Sequence, residues 1–102
     1  MTLSEIATVI RSKNAGPYLF TFDVLFPDRA VFDRVVDAGK LDRKAVARAY
    51  GLAPGDVISF DFYPFAKAMK FSIRRPTVSG AVGDGDIYGA QQHAPLLDLE
   101  AL

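Results

Sequence analysis

Cysteine is absent from the 102-residue chain, which excludes a disulfide framework and any thiolate metal site within it. Net charge is also absent. Twelve Lys and Arg balance twelve Asp and Glu, so nothing in the overall charge draws the protein to nucleic acid or to an anionic membrane. No apolar run approaches the length of a membrane-spanning helix, and the start "MTLSEIATVI" carries an acid where a secretory leader would carry basic residues. A cytoplasmic location is the expectation. No repeat, linker or low-complexity tract divides the chain, and 102 residues suffice for one core, so residues 1–102 are expected to form a single domain. Basic residues are missing after Arg75, and the tail from Pro76 holds only Asp84, Asp86, Asp98 and Glu100, which makes it locally acidic.

What the chain does have is hydrophobic: half its residues, twelve of them aromatic. The apolar run within Leu3 to Ile10 predicts a first strand, stopped by the turn-rich "RSKNAGP". "YLFTFDVLF" alternates, with Phe20, Phe22, Val24 and Phe26 on one face, and predicts a second. Asp28 and Gly39 bracket an amphipathic helix carrying Val31, Phe32, Val35 and Val36, and Asp42 and Gly51 bracket another carrying Val46, Ala49 and Tyr50. "APGD" reads as a turn. "VISFDFYP" predicts a third strand with Ile58, Phe60 and Phe62 together, and Met69, Phe71 and Ile73 mark a half-exposed fourth. A long polar segment, Thr77 to Pro95, then precedes "LLDLE", which reads as a last strand. This order predicts an α+β fold: a ferredoxin-like sandwich with an antiparallel or mixed sheet of about five strands and two helices on one face. A short helical turn within Asp84 to His93 would complete the ferredoxin-like order.

Two polar segments are candidate sites. "RSKNAGP" offers the Arg11 guanidinium, the Ser12 hydroxyl, the Lys13 ammonium, the Asn14 amide and the backbone access of Gly16, a set suited to a carboxylate or phosphate. The plainer reading is a tight connection between strands, with Asn14 and Gly16 tolerating positive φ and Pro17 stiffening the exit. No nucleotide P-loop pattern is present. "GDGDIYGAQQHAP" contains the one histidine. His93, oriented by Asp84 or Asp86, is the candidate general acid or base, with the Gln91 and Gln92 amides as ligand contacts; a hydrogen-bonded structural histidine is the plainer reading. Asp84-Gly85-Asp86 lacks the remaining positions of a calcium loop, so no metal or other cofactor is expected. Asp23 and Asp61 interrupt strongly hydrophobic strands. They either face solvent or pair across the sheet with Lys70 or Arg74. Phe60, Phe62 and Phe71 lack the glycine-aromatic pattern of an RNA-binding sheet and read as core.

Over nearly its whole length, through "RSKNAGPYLFTFDVLF", "AMKFSIRRPTVSG" and "GDGDIYGAQQHAPLLDLE", the chain resembles a small bacterial family designated a domain of unknown function. That family is similar to the ferredoxin-like C-terminal domain of AtuA-like proteins, named for acyclic terpene utilisation, where Arg-Ser-Gly-Asp-Lys-Gly stands in place of "RSKNAG". Here Lys13-Asn14-Ala15 replaces Gly-Asp-Lys, so no role of that aspartate or lysine transfers by position. The resemblance implies an accessory subunit that docks on a separate AtuA-like large protein in acyl-CoA or organic-acid catabolism. The alternative is a small homo-oligomeric lyase, hydratase or isomerase acting on a carboxylate or thioester, with Arg11 and Lys13 holding the anion and His93 moving the proton. Both readings rest on the two polar segments meeting at one end of the sheet.

Overall fold

The computed structural model describes residues 1–15, 19–74 and 94–102, with the side chains of Asn14 and Ala94 excepted. Four strands, β1 (Val9–Asn14), β2 (Leu19–Leu25), β3 (Val57–Tyr63) and β4 (Ala68–Arg74), form one antiparallel sheet in the order β1-β2-β4-β3. Two main helices, α2 (Arg29–Ala38) and α3 (Arg43–Ala49), lie between β2 and β3 in sequence, and the short helices α1 (Leu3–Ile6) and α4 (Ala94–Leu97) sit near the chain ends. The fold class is α+β.

Capping chemistry sets the helix bounds. The Asp28 carboxylate accepts from the Val31 N–H at 2.8 Å and that of Asp42 from the Ala45 N–H at 2.7 Å, satisfying donors that the first helical turn leaves open. At the other ends Gly39 and Gly51 take φ of 68° and 67°, left-handed values that a Cβ would strain.

Alternation sets the core. Phe20, Phe22 and Val24 of β2 and Met69, Phe71 and Ile73 of β4 are buried on one face, beneath Phe32 and Val35 of α2 and Val46 of α3. The Phe22 and Phe71 rings, paired across the two central strands, stack at 4.6 Å with planes 9° apart. Phe32 meets Phe62 edge-on at 5.9 Å, which fixes α2 over β3, and Tyr50 at the end of α3 reaches Phe22 at 5.4 Å. Burial raises the Tyr50 phenol pKa well above its ordinary value.

Three expectations change. Leu3–Ile6 is a helical turn rather than part of a strand, because Thr2 and Glu5 form a capping pair: the Thr2 N–H and hydroxyl donate to Glu5 Oε1 at 2.8 and 3.1 Å. These bonds hold the Glu5 carboxyl below its ordinary pKa. The first strand therefore starts later and takes in Arg11–Asn14, where the sequence predicts a turn. "LLDLE" is not a strand. Pro95 lies in the first turn of α4, where its missing N–H costs nothing, and only Glu100 pairs, through an isolated bridge to Thr2. The described sheet thus has four strands rather than about five. Ile58 does not share a face with Phe60 and Phe62, since a register irregularity between Val57 and Ser59 sends Val57 into the core and leaves Ile58 exposed. The helical turn expected within Asp84 to His93 lies outside the described residues.

Replacing Phe22 by Ala is expected to cost about 3–5 kcal/mol in urea unfolding, since it removes a buried ring and its stacking partner's contact. The Tyr50 shift has a definite sign. Stability is full below the ordinary phenol value of 10.0 and falls as pH rises past it, where the unfolded chain releases a proton that the folded chain keeps. Unfolding midpoints between pH 9 and 11 should fall in the wild type and flatten in Tyr50→Phe.

Candidate functional site

The sheet face turned away from the helices is polar in two of its three rows and apolar in the third. Register aligns its residues in rows that cross all four strands. Arg11, Asp23, Lys70 and Asp61 make the central row, with charges alternating in sign; Lys13, Thr21, Ser72 and Ser59 make the row nearer the β1–β2 turn. Val9, Leu25, Ala68 and Tyr63 make the row at the other end. No layer among the described residues covers this face.

Asp23 is the centre of the charged row. Its side chain is only 22% exposed, and it takes Arg11 on one side at 3.7 Å and Lys70 on the other at 3.9 Å. Both distances are long and both cations are well exposed, so each pair contributes no more than about 1 kcal/mol. Their larger effect is to make a half-buried carboxylate tolerable in a hydrophobic strand. Lys70 also lies 5.5 Å above the Tyr63 ring. Thr21 and Ser72 hydroxyls bond at 3.4 Å, and Arg74 pairs with Asp56 at 3.5 Å.

The expected anion-binding set is divided by the strand it lies on. Arg11 and Lys13 point to the open face and are exposed, while Ser12, opposite Phe22, belongs to the helix-side face and is half-buried. Asn14 closes the strand opposite Phe20. Gly16, Asp84, Asp86, Gln91, Gln92 and His93 lie outside the described residues. The segment that carries the last five follows β4, whose final residue, Arg74, pairs with Leu19 beside the β1–β2 turn. Lys13 and Arg74, the last described residue before that segment, lie at the same end of the sheet, where Arg74 is paired with Asp56.

The sequence leaves Asp23 either facing solvent or paired with a cation across the sheet. The structure gives it Lys70, and also Arg11, a partner the sequence reading missed. The missed signal was phase: the pairing of β1 with β2 sets Arg11 opposite Asp23, which becomes visible once β1 is placed at Val9–Asn14. Asp61 is exposed and has no ion pair among the described residues, although it stands opposite Lys70.

Other chemistry is sparse. Among the described residues no group of three or more His, Asp or Glu is placed to hold a metal ion, and no helix is long and apolar enough to cross a membrane. A shallow groove of about 230 Å³ lies along α3 between Lys44, Ala47, Arg48, Leu52 and Pro54, below the roughly 300 Å³ at which ligand pockets begin.

An α+β domain with one helix-covered face and one open, charge-patterned face is the class these features define. The chain belongs to the family described as Domain of unknown function (DUF4387), whose model matches residues 3–100. No curated protein and no solved structure matches it.

Asp23→Asn tests the role of the charged row. It should cost about 1 kcal/mol at low ionic strength, and the difference from wild type should shrink as salt is added, because the lost pairs are partly exposed. Chemical denaturation in urea at two salt concentrations measures both quantities.

Proposed function

We propose that the chain is an accessory domain that docks on an AtuA-like large protein and contributes its polar segments to a shared site in acyl-CoA or organic-acid catabolism. The observation that supports this reading is the open sheet face, with its row of alternating charges and with Lys13 exposed at the end where β1 passes to β2. Such a surface suits a contact completed by another protein, since its charges lie on an exposed face rather than in a cleft among the described residues. On this reading the strand order is a ferredoxin-like sandwich in which β1 stands at the edge beside β2, the place the fold otherwise gives its last strand. Lys13 and Arg74 would meet a carboxylate or phosphate at the shared site.

The test is co-expression with an AtuA-like protein that lacks its own terminal domain. The two chains are expected to elute together, and Lys13→Glu, at an exposed position, is expected to weaken the complex about tenfold without changing the fold. Separate elution of the wild-type chains overturns the proposal. So does turnover of an acid or thioester by the small chain alone that His93→Ala abolishes, the outcome that a self-sufficient lyase, hydratase or isomerase requires.

A further inference from the structure

The sheet order makes β3 an edge, and this edge is unusually apolar. Ile58 is 42% exposed, Tyr63 44%, and Phe65, in the turn just beyond, fully so. Phe60 and Phe62 are core residues of the helix-side face, yet both are only partly buried. Arg43 Nη1 donates to the Val57 carbonyl, so the accessible edge begins beyond it, at Ile58. Amid these residues stands one charge, Asp61, the last member of the alternating row. Its neighbour Lys70 is already shared with Asp23 and the Tyr63 ring. Charge alternation, which runs Arg11, Asp23, Lys70, Asp61 across the sheet, stops at the edge on an acid with nothing beyond it among the described residues.

We infer that β3 is a docking edge for an extended segment of a partner protein, one that sets a Lys or Arg opposite Asp61 and apolar side chains opposite Phe60 and Phe62. Main-chain bonds along Ile58–Tyr63 supply the affinity of such an added strand, and the alternate side chains supply its selectivity. This rests on the accessory-domain reading and names the surface and chemistry by which the partner is held.

A second copy of this chain does not fit the edge. Its β3 carries no cation, so edge-to-edge pairing brings acid near acid. Its β1 does offer Arg11 opposite Asp61 and Val9 opposite Tyr63. Made reciprocally, however, that pairing closes eight strands with the charged row returning to its own starting residue, a cylinder without the stagger that barrel closure demands. Made in one direction only, it continues copy after copy without end.

The probes are two capped peptides, Thr-Val-Lys-Val-Thr and Thr-Val-Glu-Val-Thr, titrated into the isolated full chain and followed through backbone amide resonances. The lysine peptide is expected to move the amides of Ile58 to Tyr63 at a concentration about fivefold lower than the glutamate peptide. Asp61→Lys, at an exposed position, should reverse that preference, and Asp61→Asn should remove it. Equal response to both peptides overturns the inference, as does no response in β3 or a wild-type chain whose mass is that of a dimer paired through β3. Co-elution with the AtuA-like protein that survives Asp61→Lys overturns this edge as the contact and leaves the accessory role standing. Loss of co-elution in the wild type, with peptide selectivity intact, removes that particular partner and keeps the edge.

Discussion

The rest of the molecule depends on the pairing of β2 with β4, whose register is held by the stacked rings of Phe22 and Phe71. A slip of one residue would turn Phe20, Phe22 and Val24 to water and drive Thr21 and Asp23 into the core. Because the aromatic face is so heavy, register on the other face is fixed with it. Asp23 arrives beside Lys70, and Thr21 beside Ser72, as consequences of where the phenylalanines must go.

The same constraint gives the open face its pattern. Strand alternation sends Arg11 and Lys13 outward and Ser12 inward, so the cluster that looks like one anion loop in the sequence is split between two environments. The charges gathered on the open face come from all four strands and from positions far apart in the chain. They cancel along the central row: two cations and two acids, ending at β3 on Asp61. Stability there is modest, as expected of partly exposed pairs at long distances.

Much of this was legible before any coordinates. Asp28 and Asp42 before their helices, Gly39 and Gly51 after them, and the clean alternation of β2 each point to one local structure, and each is found. The misreadings share a cause. In "TLSEI" a capping pair competed with an apolar run, and a local hydrogen bond outweighed periodicity. In "APLL" a proline admitted a helical turn where the leucines suggested a strand. Ile58 was displaced by a bulge, an insertion that alternation cannot announce. The site was less legible because its residues acquire their meaning in pairs. Arg11 and Asp23 are informative only once register brings them together, and register depends on where β1 begins.

The two chain ends lie together. Met1 donates to the Leu102 carbonyl, Thr2 bridges to Glu100, and Leu3 N–H bonds to Leu99 O at 2.9 Å. Leu3 and Leu96 anchor this clasp in the core from the helix side. Polypeptide joined ahead of Met1 or behind Leu102 would accordingly depart from one place. A circularly rearranged gene, with the old ends spliced and new ones cut in an exposed turn, would therefore encode much the same object.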